Sequence, residues 1–342
     1  MAARLAPPPA AASSESDASL LAWARACVIE NRAESGDSAF RTLRLSVADD
    51  VPLLSGSVRA SLRSKSAGRR WIDGYKAPGQ QVGVRFLVAD EDEGEGGRGA
   101  GDPPTTSPSR RLVLASSPYE ALRESASLAA SIIEVMVDRE EGGGSGGGDA
   151  FCSALGRLAP GAELEVSTVQ GAGWAPMFSD EDGAKPALAS ALEAGRPLLV
   201  IGVGAAGAAA LRATLEWNPV QAAASAGRVG AVLAAGRGGP GGAPYLVWYD
   251  LWRGWGVDLR ATALPPGCGD LGLEAALFSA IFGSGGGDLP GALRALAPAG
   301  VGVGGVTVLV GGCPRPVALA IMRRLEAEGV PSAHILFGDP YF

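Results

Sequence analysis

Gly202-Val-Gly-Ala-Ala-Gly207 has the G-x-G-x-x-G form, in which glycines let the backbone turn tightly and approach a pyrophosphate held at the N-terminus of the following helix. With 51 glycines in 342 residues, chance alone supplies about one such match per chain of this composition, so frequency decides nothing. Context does. The motif stands where a continuous apolar run, Pro197-Leu-Leu-Val-Ile-Gly-Val203, meets an Ala/Leu-rich stretch from Ala205 to Trp217. Gly202, Gly204, Ala205 and Gly207 are therefore candidate nucleotide contacts, the alternative being tight helix–strand packing. An acidic residue for a ribose 2′-hydroxyl has no candidate at the end of the next strand, which reads Ala234-Ala-Gly-Arg237. Arg237 suits a 2′-phosphate and hence NADP over NAD; an ordinary exposed arginine is the plainer reading.

Other chemistries are narrowed by counting. The sequence has one histidine, His334, which removes any metal site built on several histidines. A Ser-His-Asp triad would have to use that residue, and the plainer reading is a surface histidine at a strand start. Cys27, Cys152, Cys268 and Cys313 lie far apart with no C-x-x-C, so neither a zinc site nor an iron–sulfur cage is written, and a reducing compartment is the simpler setting. The net charge is −7 and the arginines are scattered, which leaves no electrostatic footprint for nucleic acid. Apolar stretches such as Val306 to Val310 fall far short of the roughly 20 residues that cross a bilayer, so no membrane span is expected.

The elements that must position these residues divide the chain in two. Residues 1–22 begin Ala/Pro/Ser-rich and read as a disordered or targeting segment. Residues 23–190 carry short alternating strands, Phe40 to Val47, Gln80 to Phe86, Arg111 to Ala115, Ile132 to Val137 and Glu163 to Val169, with a short helix from Phe151 to Leu158. An acidic, glycine-rich insert over 91–109 reads as a solvated hairpin loop. Antiparallel strands joined by turns close most economically into a small barrel. Residues 191–342 change period. Strands Pro197 to Val203, Val229 to Ala234, Val257 to Ala263, Val306 to Val310 and His334 to Phe337 alternate with helices at Ala205 to Trp217, near Tyr245 to Gly254, at Leu273 to Phe282 and at Pro316 to Glu328. That is a doubly wound parallel α/β sheet following an antiparallel β-barrel.

This order resembles the ferredoxin-NADP reductase superfamily. Tyr75-Lys-Ala-Pro-Gly-Gln80 followed by Val82 to Phe86 is similar to the family's Pro-Gly-Gln segment, and Leu158-Ala-Pro-Gly161 with Gly171-Ala-Gly173 to its barrel closure. Ala235-Gly-Arg237, Tyr249-Asp250, Trp255 and Leu309-Val-Gly-Gly-Cys-Pro314 echo its second half. The likeness is greatest to divergent plant and algal, fruit-protein-like members. The resemblance implies FAD on an Arg-x-Tyr-Ser motif whose place is held by Arg110-Arg-Leu-Val-Leu-Ala-Ser116. Arg110 stands for the pyrophosphate arginine, and Leu114, Ala115 and Ser116 for the small-residue strand end. Leu112 replaces the stacking aromatic and Val113 the hydroxyl residue, so both ring contacts are missing. Ser145 matches the hydroxyl residue at the barrel helix. Gly312 and Cys313 fall at the family's Cys-Gly-Pro, with a role beside the nicotinamide or an inert buried thiol as the readings of Cys313. Tyr341 and Phe342 supply aromatic cover for the flavin or a packed apolar end.

The implied activity is a flavin-dependent transfer of electrons between NAD(P)H and an unknown acceptor, such as a small redox protein. A second reading, motivated by Leu112 and Val113, is a non-catalytic descendant acting as a nucleotide-binding or interaction module. A third is a nucleotide-binding domain whose N-terminal half docks partners. The plant or algal look points to the chloroplast, and the early Glu15 and Asp17 to the cytoplasm instead.

Overall fold

A computed structural model describes residues 22–49, 70–87, 108–126, 128, 130–139, 150–177, 187–237, 242–264, 293, 296–297 and 302–338. The first half is a sheet of β1 (Trp23–Ala33), β2 (Phe40–Ala48), β3 (Gln81–Phe86), β4 (Ser109–Val113), β5 (Ala130–Asp138) and β6 (Glu163–Ser167), in the order β4-β3-β6-β1-β2-β5. Every pairing is antiparallel. A bridge between Leu114 and Val135, with the Ala115 amide donating to the Glu134 carbonyl at 2.7 Å, joins the two end strands and closes the barrel. β2 shows why alternation is legible here: Leu43, Leu45 and Val47 are wholly buried in the barrel core. β1 has no such clean signal, because its inward residues are the small Ala24, Ala26 and Val28 and a bulge between Val28 and Glu30 shifts its register. β3 and β4 pair directly as antiparallel neighbours; residues 88–107, where the solvated insert is expected, lie outside the described set.

Helix α1 (Pro118–Ser125) follows β4, and the short α2 (Ala150–Leu155) precedes β6. Ser117 caps α1 by accepting from the Glu120 amide at 3.2 Å, with Pro118 in the first turn. Arg70 then holds this end of the barrel together. Its guanidinium pairs with Asp49 at 2.8 Å and donates to the carbonyls of Ser125, Leu128 and Ala130.

The second sheet contains β7 (Trp174–Pro176), β8 (Leu198–Val203), β9 (Val229–Arg237), β10 (Asp258–Leu264), β11 (Thr307–Gly311) and β12 (Ile335–Gly338), in the order β10-β9-β8-β11-β12-β7. All its pairings are parallel except that of β7 with β12, which makes the sheet mixed at one edge. Helices α3 (Ala187–Glu193), α4 (Gly204–Leu215), α5 (Asn218–Ser225), α6 (Tyr249–Gly254) and α7 (Arg315–Ala327) accompany it. Alternate residues of β8 feed two cores: Leu198 and Val200 the one that includes α4 and α5, Leu199 and Ile201 the one that includes α7. That double burial is why β8 reads as an unbroken apolar run. The helix expected over Leu273 to Phe282 lies outside the described residues.

β7 is anchored by Trp174. Its indole is buried, donates to Thr214 Oγ1 of α4 at 2.8 Å, and occupies space that side chains at Gly311 and Gly338 would fill. Helix α4 also packs on β4 and β5 of the barrel, so one helix touches both sheets. Arg212 in α4 pairs with Glu134 of β5 at 2.6 Å and with Glu216 at 3.1 Å, and its guanidinium lies 4.9 Å from the Trp248 ring centroid.

Candidate functional site

The order of the second sheet contains a reversal. The chain runs outward from β8 to β9 and β10, and then returns to the other side of β8 to lay down β11 and β12. The crevice at the carboxyl ends of β8 and β11 is thus a topological switch point, where open α/β sheets bind ligands. Three of the sequence-predicted glycines meet there by packing. A Cβ on Gly202 would lie 2.6 Å from the Gly207 carbonyl oxygen, and one on Gly207 would lie 2.5 Å from that of Gly311. Gly312, at φ +80°, has the Val203 carbonyl and the Gly207 amide where its Cβ would go. These three let β8, α4 and the turn after β11 approach backbone to backbone.

Gly204 differs. It opens α4 at φ +61°, and the space its side chain would occupy is empty to 4 Å. Val203 offers no side-chain cap to the helix. The first-turn amides of this 12-residue helix thus have no side-chain cap, and the place of a side chain at Gly204 beside them is open. Ala205, on the same turn, is nine-tenths buried against the barrel-side core. An anionic, phosphate-bearing ligand fits this arrangement.

Cys313 follows Gly312 at the same end of β11 and packs into the apolar core with Val310 and Val317. Burial pushes its thiol up to about 12, which keeps it protonated at neutral pH. Arg237 ends β9, and its side chain lies outside the described set, as do Ser145, Tyr341 and Phe342 entirely. His334 sits in a single 3-10 turn before β12, with Nδ1 2.9 Å from the Gly304 carbonyl. Burial and then Arg196 lower its pKa, consistent with a structural residue.

The barrel contributes β4, whose residues fall on two faces. Cross-strand partners share a face, and β4 pairs with β3 as Arg110 with Val84, Arg111 with Gly83, Leu112 with Val82 and Val113 with Gln81. Val82, Val84, Leu112 and Leu114 belong to the barrel core. Val113 and Ala115 belong instead to the cluster that contains Ala205, Ala208 and Ala209 of α4. Arg110 and Leu112 therefore share the inward face, with Arg110 exposed at its end, while Arg111 and Val113 share the outer face toward the second sheet. Ser116 is buried, its hydroxyl accepting from the Glu134 amide at 3.3 Å.

Two outer-face residues escape motif matching. Arg111 is exposed on the strand that pairs with Gly83, and among the described residues its guanidinium has no hydrogen bond or ion pair. Gln81 is only 3% exposed, yet its Oε1 has no hydrogen-bond partner. Strand parity applied to the Gln81–Val113 pair is the signal that finds both. The outer face of β4 thus offers an arginine at its exposed end, small apolar residues along it and a buried orphan carbonyl beside it. The exposed Arg111 suits the phosphate of a bound nucleotide at that end of the strand. Among the described residues there is no group of three or more His, Cys, Asp or Glu arranged to hold a metal, and no helix long and apolar enough to cross a membrane.

No family model matches the chain, and no curated protein matches it in sequence. Solved structures do. The flavohem-like FAD/NAD-binding domain of nitric oxide dioxygenase from Vibrio cholerae superposes with a TM-score of 0.51 at 14% identity, covering 92% of this chain and 97% of that one. The CS-b5R domains of human Ncb5or, in the NAD+ form, give 0.52 at 14% identity over 93% and 70%. Ferredoxin-NADP+ reductase from Plasmodium falciparum gives 0.50 at 7% identity over 92% and 95%. A barrel followed by a doubly wound sheet, in the same arrangement, is the fold these proteins share with this chain.

Proposed function

We propose that this chain, with the two-domain fold of the ferredoxin-NADP reductase-like proteins, is a flavin-dependent oxidoreductase that moves electrons between NAD(P)H and an external acceptor. The observation that carries the reading is the open left-handed Gly204 at the head of an uncapped helix, set at the switch point and facing the barrel strand β4. Here the first-turn amides of α4 hold the dinucleotide pyrophosphate, as at other strand–helix crevices. Arg111 takes the phosphates of the flavin nucleotide, and Val113, Ala115 and Ala205 wall off water between the two halves. The redox chemistry is the cofactors' own: hydride transfer between nicotinamide and flavin, and electron delivery to the acceptor. The protein's part is placement and exclusion of solvent. The buried Cys313 thiol stays neutral in this reading and adds no charge to the crevice.

A second reading has one observation in its favour. Leu112 belongs to the barrel core and Val113 is apolar, so these two motif positions supply no stacking aromatic and no hydroxyl. A descendant of the fold that binds a nucleotide without turning over would look the same there.

Absorption spectroscopy of the purified protein, with FAD added and then NADPH or NADH under anaerobic conditions, separates the two. Flavin bands that bleach on nucleotide addition support the oxidoreductase. A protein that takes up no flavin but binds NADPH supports the nucleotide-binding module. Faster bleaching by NADPH than by NADH, lost in Arg237→Ala, would assign Arg237 to a 2′-phosphate.

A further inference from the structure

We propose that Glu134 is a positioning residue for hydride transfer, fixing the nucleotide-binding helix α4 against β4, the strand that carries Arg111. The inference rests on the oxidoreductase reading above, which puts one cofactor on each of these elements. Glu134 is tied to both. Its main chain, in β5, is bonded to the end of β4: the carbonyl accepts from the Ala115 amide at 2.7 Å, and the amide donates to the Ser116 hydroxyl at 3.3 Å. Its buried side chain crosses the seam, where Oε2 accepts from Nη1 of Arg212 at 2.6 Å. Arg212 lies about two turns along α4 from Gly204. The guanidinium is itself held in place, because Nε donates to both oxygens of Glu216 at 3.1 and 3.2 Å and the rings of Trp248 and Tyr245 lie 4.9 and 5.2 Å away.

Stability is a poor reason for such a pair, since a buried ion pair often contributes no more than apolar residues of the same volume. Direction is a better one. Between α4 and β4 the seam is made of Val113, Ala115, Ala205, Ala208 and Ala209. Contacts of this kind attract without direction, so they leave the helix free to slide or turn slightly over the strand. A charged hydrogen bond restricts both distance and angle. Hydride transfer needs its two reacting atoms about 3–3.5 Å apart, and a misplacement of about 1 Å can slow a reaction about a hundredfold.

The test compares wild type with Glu134→Gln, which keeps the reach and loses the charge, and Glu134→Asp, which keeps the charge and is one methylene shorter. With FAD and NADPH saturating, flavin bleaching in anaerobic stopped flow should slow at least about tenfold in Glu134→Asp and less than about threefold in Glu134→Gln. Dissociation constants of both cofactors should stay within about twofold of wild type, as expected of a residue that touches neither. In the cofactor-free proteins, hydrogen exchange at the Ala115 amide and along α4 should quicken in Glu134→Asp and hold in Glu134→Gln. A merely structural role would lower the melting temperature and weaken both cofactors without slowing transfer at saturation. Wild-type transfer rates in Glu134→Asp, or a loss in Glu134→Gln as large as in Glu134→Asp, overturn the role and leave the oxidoreductase reading standing. If wild type takes up no FAD, that reading falls and the role falls with it.

Discussion

At the scale of single residues, the glycines of the crevice separate into two kinds by what surrounds them. Gly202, Gly207 and Gly312 are held against neighbouring backbone, whereas Gly204 faces open space. Substitution should therefore divide stability from binding. Gly202→Ala forces a methyl against the Gly207 carbonyl and should cost about 1–3 kcal/mol in chemical denaturation, with backbone unable to yield as a side chain would. Gly204→Ala meets no neighbour and bears only the strain of a left-handed alanine, about 1–2 kcal/mol. It should fold, and its loss should appear in NADPH affinity measured by calorimetry. Equal affinity in Gly204→Ala and wild type would remove the α4 terminus from the nucleotide site. The G-x-G-x-x-G pattern was legible in the sequence, but which glycine packs and which stands open was not, because that depends on Gly311 and Gly312 from a strand about a hundred residues away.

Helix α4 is the element that joins these residues to the rest. Its first turn faces the crevice, Thr214 holds Trp174 of β7, and Arg212 reaches Glu134 on the barrel. Burial opposes the charge of Arg212, but the carboxylates of Glu134 and Glu216 more than offset it and hold the guanidinium above its usual pKa. Glu216 goes the other way. Burial raises it from 4.5 to about 7, against the pull of Arg212. A carboxyl that binds its proton more tightly folded than unfolded contributes stability fully below about pH 4.5 and loses it as pH rises through about 7. Melting temperatures of wild type and Glu216→Gln between those limits should accordingly diverge, the variant gaining on wild type as pH increases. A difference that is flat across the window would show that Glu216 titrates normally. The Ala/Leu composition of α4 foretold the helix; the ion cluster was invisible in it, since Glu134 lies 78 positions before Arg212.

For the whole molecule, the seam between barrel and sheet is built as an interior. Phe40, Val113 and Met136 of the barrel share a core with Trp174 of the second sheet and with Leu211 and Tyr245. The Tyr245 amide donates to the Glu34 carbonyl at 3.1 Å, and Tyr245 is held at φ +63°, a conformation rarely adopted by bulky residues. The Arg212 guanidinium lies 5.2 Å from the Tyr245 ring centroid. Such a seam should couple the halves into one unfolding transition by calorimetry. Arg212→Ala leaves Glu134 and Glu216 buried without their partner, which should cost about 3–5 kcal/mol. The transition should then broaden or split as the halves uncouple. A single sharp transition at the wild-type temperature would mean that the ion cluster does not carry the seam.

The sequence by itself determined the period of each half, and with it the barrel and the wound sheet. Alternation at Leu43, Leu45 and Val47 and the unbroken apolar run of β8 are local properties that follow from burial on one face or on two. It also restricted the chemistry, through one histidine and four scattered cysteines. Only the tertiary structure decided which side chains meet. The pairing of β3 with β4 turned Arg110 and Leu112 toward the barrel core and brought Gln81, Arg111 and Val113 onto the face that α4 covers. A strand's parity is local, but the face it presents is chosen by its partners, and these lie on other parts of the chain.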